Sequence, residues 1–194
     1  SASRIKHPHI VDITDFGYTP KSQAFLVMEL LQGEDLADTL HREGPFQWER
    51  ASHIVRQIAH ALEAAHAQGV IHRDLKPENF FRIHHNNDPD FIKVVDCGIA
   101  KVTDSDFQSA STSGAQHTLV GTPEYIAPEL ITGSEPTPAA DVYALGIVLY
   151  QMLTGTTPFA GENLMDIFSQ AMLDEPIPPR VQAPSVEIPA ELDD

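Results

Sequence analysis

An α+β fold is predicted for this chain, mainly helical with the remnant of a small sheet at its N-terminal end. Three observations predict it. Residues 48–68 carry one helical apolar stripe, and residues 138–153 are apolar on nearly every side. Short β-branched runs are confined to 10–29 and 80–95.

In chain order, residues 10–16 (IVDITDF) and 24–29 (AFLVME) read as two strands across the turn Gly17–Ser22. Asp35 to His41 is a short helix closed by Gly44-Pro45. From Trp48 to Gln68, the residues Ala51, Ile54, Val55, Ile58, Ala59, Leu62 and Ala65 recur at helical steps and form one buried stripe. Gly69 is the expected left-handed cap. Phe80–Ile83 and Phe91–Val95 form a hairpin across the polar turn HHNNDPD. Residues 103–118 are rich in Ser, Thr, Gln and Asp and read as a loop. Thr137 then caps a helix that Pro138 opens. That helix, apolar all round, is expected to be buried on every side. Residues 162–173 make a last helix, and a Pro-rich tail is expected to lack regular structure.

Composition narrows the function classes. The chain has 194 residues, enough for one domain, with 42% apolar and 21% charged residues. Twelve Lys+Arg against 28 Asp+Glu leave a net charge of −16. Nucleic-acid binding needs a basic surface, so no nucleic-acid partner is expected. The single cysteine, Cys97, excludes an internal disulfide and fits a reducing compartment. The most apolar stretch, Val142 to Leu153, is too short for a membrane span and contains Gly146. The N-terminal SASRIKHPHIV has no signal-peptide shape, so a cytoplasmic location is expected, with an anchor elsewhere in a longer protein left open. His84, His85, Asp88 and Asp90 lie together, but no cysteine joins them and their spacing matches no zinc pattern. His7, His9, His53, His60 and His66 read as helix and surface residues.

The chemistry-bearing blocks are HRDLKPEN from His72, the triplet Asp96-Cys97-Gly98 after a strand, and GTPEYIAPE from Gly121 to Glu129. With VMELLQGEDL and DVYALG, they resemble the signature set of serine/threonine protein kinases of the bacterial, eukaryotic-like style. The resemblance covers essentially the whole chain.

That resemblance implies a protein-kinase-like fold: residues 1–31 as a remnant of the N-terminal lobe and hinge, 32–194 as a C-terminal lobe lacking its last helices. It implies ATP and Mg²⁺ as cofactors and protein serines and threonines as substrates. Asp74 would accept or orient the substrate hydroxyl proton, and Lys76 would meet the γ-phosphate. Thr122 would brace both. Asn79 and Asp96 would supply the hard oxygen ligands that Mg²⁺ requires. Met28 falls at the gatekeeper position, Glu29 and Leu31 would present backbone groups to adenine, Asp35 would reach the ribose, and Phe81 would lie under the base. Arg73 and Lys101 would converge on a phosphorylated Thr118, with Ser109, Ser111, Thr112 and Ser113 as competitors. Asp141 would bond the backbone around His72, and Glu129 would pair with an arginine.

Three departures stand out. No Gly-rich loop, strand lysine or glutamate partner precedes the hinge, and the chain is expected to stop before the last helices, which carry the arginine that usually pairs with Glu129. Cys97 replaces the usual phenylalanine, which implies a looser hydrophobic column with Ile13 and His72 and a retained metal site. The chain is therefore expected to be part of a longer kinase and inactive by itself. The alternatives are a kinase-like binding module without phosphotransfer or, ranked last, a small-molecule phosphotransferase.

Overall fold

The computed structural model describes residues 5–96 and 121–192. Cys97, Gly98, Lys101, Ser109, Ser111, Thr112, Ser113 and Thr118 lie outside the described residues, and with them the expected 103–118 loop.

Two small sheets and a helical body make up the fold. Strands β1 (Ile13–Tyr18) and β2 (Ala24–Met28) pair antiparallel across a turn in which Ser22 takes positive φ. The ladder starts three residues later than expected. Ile10 and Val11 are buried, at 4% and 3% exposure, and Ile10 instead forms a parallel bridge with Val94. Burial in the larger core therefore outweighs continuation of the small sheet.

The second sheet runs in the order β3 (Gly33–Asp35), β4 (Phe80–His85), β5 (Asp88–Val94). Strand β3, three residues long, carries too short a pattern to be read from sequence. Gly33 is required there, since a Cβ would stand 1.9 Å from the carbonyl oxygen of Arg82. The β4–β5 turn is tighter than the seven-residue turn expected. Asn86 and Asn87 alone make it, at φ 47° and 66°, the two left-handed positions of a type I′ hairpin. His84, His85, Asp88 and Pro89 are strand residues, and His85 stacks on Phe91 with ring centroids 4.7 Å apart.

Helix α1 (Leu36–Glu43) is capped by Asp35, whose Oδ1 accepts the Asp38 N–H at 2.8 Å. Helix α2 (Trp48–His66) buries Ala51, Ile54, Ile58, Ala61, Leu62 and Ala65. Ala59 is exposed, contrary to expectation, because the stripe runs through 54, 58, 61 and 65 and leaves 59 on the far side. The helix ends as expected at Gly69, φ 70°, where Gly69 N–H donates to His66 O and Val70 N–H to Ala65 O.

Beyond the short helix α3 (Pro128–Ile131), helix α4 (Pro138–Thr154) packs against α2 at the centre of the core. Pro138 opens it, but the Thr137 side chain makes no cap bond; its carbonyl accepts Ala140 N–H instead. The helix is not buried all round: Ala139, Val142 and Gly146 form an exposed stripe at helical spacing, Val142 being 63% exposed. Helix α5 (Leu164–Leu173) is capped by Asn163. The tail, expected to be irregular, forms helix α6 (Pro179–Gln182) and a 3₁₀ turn, Ala190–Leu192, because Ala183 and Ile188 pack into the main core.

Candidate active site

The segment from Val70 to Asn79 follows α2 and crosses the core, so its backbone polar groups need partners inside the protein. Asp141, on α4 and 1% exposed, supplies two: Oδ2 accepts His72 N–H at 2.9 Å and Oδ1 accepts Arg73 N–H at 3.0 Å. His66 Nε2 approaches the same Oδ2 at 2.7 Å. Arg73 is thereby held at φ 73°, a conformation uncommon for an arginine. His72 is buried at 2% exposure and its Nε2 lies 3.0 Å from Val95 O.

This frame presents Asp74 to the surface. Its Oδ1 accepts Thr122 N–H at 3.2 Å, and its Oδ2 lies 3.4 Å from Lys76 Nζ. Lys76 Nζ also donates to Thr122 Oγ1 at 3.0 Å. The three residues close one triangle joining a carboxylate, an ammonium and a hydroxyl, although 46 residues separate Lys76 from Thr122.

Asn79 turns its Nδ2 to Asp74 O at 2.6 Å, so the other end of the amide is an oxygen. Its own carbonyl accepts Val95 N–H at 2.9 Å, which brings the strand end carrying Asp96 against it. Asp96 is exposed and takes φ 61°. One carboxylate and one amide oxygen form a hard donor pair. They fit magnesium, which binds through one or two protein oxygens and completes its shell with phosphates and water. Among the described residues, no group of three His, Cys, Asp or Glu side chains is arranged to hold a metal by itself.

The predicted nucleotide residues lie along the connection between the sheets. Met28 ends β2, opposite Ile13. Glu29 and Leu31 lie in the link to β3. The Glu29 side chain is itself engaged, accepting from Lys93 Nζ at 2.7 Å and from Asp12 N–H at 2.8 Å. Burial acts to raise its carboxyl, but those two donors outweigh burial and hold it below the usual range. Asp35 stands directly across the ladder from Phe81, which is half-buried. One carboxylate oxygen of Asp35 is committed to the α1 cap.

Several interactions escaped the sequence reading. His66 is a partner of buried Asp141, not simply a surface residue; its place in the last turn before Gly69 was the only local signal. His9 stacks on Phe91 at 4.4 Å, and its Nδ1 meets Ile92 O. His53 Nε2 pairs with Asp88 at 2.8 Å, and Arg50 with Asp90. Tyr125 donates to Gln151 Oε1 at 2.7 Å, and burial pushes its phenol well up.

Residues 1–191 match the protein kinase domain family along their whole length. The chain belongs to that family. Serine/threonine-protein kinase pkn3 of Myxococcus xanthus is 42% identical to this kinase domain over 188 residues, 97% of the chain and 34% of pkn3. Serine/threonine-protein kinase PknD of Mycobacterium tuberculosis is 41% identical over 195 residues, 100% of the chain and 27% of PknD. PknE of the same species is 45% identical over 166 residues, 84% of the chain and 27% of PknE. The kinase domain described here thus spans about a third or less of the curated relatives it matches. The bacterial, eukaryotic-like style seen in the motifs agrees with those relatives. Among the described residues of the kinase domain, no helix is long and apolar enough to cross a membrane.

Proposed function

We propose that the protein of which this chain is part transfers the γ-phosphoryl group of ATP to serine or threonine hydroxyls of proteins, in the cytoplasm. The observation that carries this reading is the Asp74–Lys76–Thr122 triangle beside Asn79 and the end of the strand leading to Asp96. Phosphoryl transfer asks little covalent chemistry of a protein; it needs an aligned nucleophile and compensation of charge. Asp74 orients the acceptor hydroxyl and takes its proton. Lys76, held between Asp74 and Thr122, meets the charge on the transferred group. Asn79 and Asp96 would hold Mg²⁺, which when bound neutralises the phosphates. Met28, Glu29, Leu31, Asp35 and Phe81 line the path proposed for the nucleoside. In this reading residues 1–31 would belong to the N-terminal lobe and hinge, and residues 32–194 to the C-terminal lobe.

Regulation belongs to the same proposal. Phosphate on Thr118 would add a dianion for Arg73 and Lys101 to bind, with Ser109, Ser111, Thr112 and Ser113 as the competing positions.

The test is transfer of labelled γ-phosphate by the full-length protein to a generic Ser/Thr protein acceptor, with Asp96→Asn as the control. Mg²⁺-dependent transfer lost in the control supports the reading. Equal labelling by both proteins, or nucleotide binding without transfer, overturns it.

A further inference from the structure

Among the described residues strand β5 has one strand neighbour, β4, yet its outer edge is bonded from Asp90 to Val94. Asp90 O accepts Gln57 Nε2 at 2.9 Å, and Ile92 N–H donates to Gln57 Oε1 at 2.9 Å. Ile92 O meets His9 Nδ1 at 2.9 Å. Val94 N–H donates to His9 O at 2.8 Å, and Val94 O accepts Val11 N–H at 3.0 Å. Every second residue of the strand is thus bonded on that side by groups that are not a strand.

Gln57 makes the first two of these bonds. It sits on α2, 7% exposed, and turns one amide N–H and the amide oxygen to β5, as a ladder partner would, while Nε2 also lies 3.0 Å from His53 Nε2. The apolar packing of Ile92 and Val94, both fully buried, holds the strand against the core. Packing of that kind is not directional and does not by itself stop a strand from shifting along its axis. The paired bonds to Gln57 do, because they fit one position only. Two residues past Val94 the chain reaches Asp96, which is exposed; among the described residues its neighbour Val95 is tied to Asn79 and His72.

We propose that Gln57 is a positioning residue for the metal-binding carboxylate of Asp96, acting through β5. It touches neither nucleotide nor metal. The proposal rests on the reading of Asp96 as a magnesium ligand.

The test compares the full-length protein with its Gln57→Met and Gln57→Glu variants. Methionine matches the length and removes both bonds. Binding of ADP is measured by calorimetry with and without Mn²⁺, together with the Mg²⁺ dependence of transfer. Gln57→Met should bind Mn²⁺–ADP about fivefold or more weakly, while metal-free ADP affinity and the KM for protein acceptor stay unchanged. Gln57→Glu should regain tight Mn²⁺–ADP binding as pH falls from about 8 to 6, since a neutral carboxyl can offer β5 one donor and one acceptor in place of the two amide bonds. The groups facing it are His53 and Arg50 on α2 and Asp88 and Asp90 on β5.

Unchanged Mn²⁺–ADP affinity in Gln57→Met, with only a lower melting temperature, overturns the proposal. If Gln57→Met does not fold, Gln57→Glu decides, and indifference to pH relative to wild type overturns it. A wild type that binds Mn²⁺–ADP without transferring phosphate sinks the phosphotransfer reading alone; the binding shift still decides the role of Gln57.

Discussion

Asp141 and His66 meet at 2.7 Å beneath the Asp74 loop, on the same carboxylate oxygen that accepts the His72 N–H. A carboxylate 1% exposed is tolerated there because two backbone donors and one imidazole surround it. Asp141→Ala would leave those donors buried and unpaired. Unfolding free energy should fall by about 3–5 kcal/mol in urea titration of the full-length protein. His66→Gln keeps a donor and should cost about 1 kcal/mol or less. Equal losses in the two variants would mean that the imidazole, not the backbone pair, dominates.

Asp74→Asn keeps the shape of the triangle but removes the carboxylate proposed to accept the hydroxyl proton. Turnover should drop by about 10²–10⁴-fold, with ATP affinity within about twofold of wild type. Single-turnover assays beside nucleotide titration separate the two quantities.

Thr122 contributes its N–H to Asp74 and its hydroxyl to Lys76. Only the hydroxyl is lost in Thr122→Ala. A hydrogen bond to a charged group is worth about 1.5–3 kcal/mol, so kcat should fall about 10–100-fold, and Thr122→Ser should restore most of it. A serine variant as slow as alanine would assign the threonine methyl the larger role.

Gly33→Ala would drive a Cβ into the carbonyl of Arg82 and push β3 off β4. Asp35 would lose its place opposite Phe81. The expected cost is about 1–3 kcal/mol of stability, with a KM for ATP that rises more than the KM for protein acceptor. Equal changes in both KM values would dissociate β3 from the nucleotide side.

Acid should weaken the docking of residues 7–11 on β5. Burial lowers His9, opposed by its bond to the Ile92 carbonyl and by Asp88, while the charges of His60 and Lys93 add to the drop. His7 is lowered by burial first, then by His9, His60 and Lys93, against Glu63. Both imidazoles are therefore favoured neutral in the folded state. Their contribution is present above the ordinary value of 6.5 and is lost as pH falls through the lowered folded values. His7 Nδ1 also accepts the His9 N–H, which a protonated ring cannot do. The urea midpoint should drop between roughly pH 7.5 and 5.5, and drop less in the double variant His7→Asn/His9→Asn. An identical pH slope in both proteins would exclude these rings as its source.

What was legible in the sequence follows from how local each signal is. The α2 and α4 helices and the Gly69 stop are written in consecutive residues, and the HRDLKPEN and GTPEYIAPE blocks carry Asp74, Lys76 and Thr122 as contiguous patterns. Gln57 and His66 escaped because their partners lie 35 and 75 residues away, and a polar residue beside an apolar stripe reads as surface. Asn86-Asn87 was blurred into a longer turn because every residue from His84 to Asp90 except Pro89 is polar or charged, so composition alone could not mark where the strands end. Val142 was expected inside because hydrophobicity fixes what tolerates burial, not which side of a helix receives a neighbour.

The same long-distance bonds dictate an order of events when the chain folds. The 80–94 hairpin and the turns of α2 close over short separations. The segment around His72 gains its bond to Val95 sooner, but its full set of partners is complete only when Asp141, 69 residues onward, and Thr122, 48 residues beyond Asp74, have arrived. Contacts across such separations incur loop-closure entropy before they are rewarded, so this segment locks last. What locks last opens first. The amide protons of His72 and Arg73 should exchange with solvent through a cheaper local opening than those at the centre of α2, while the rest of the core stays closed.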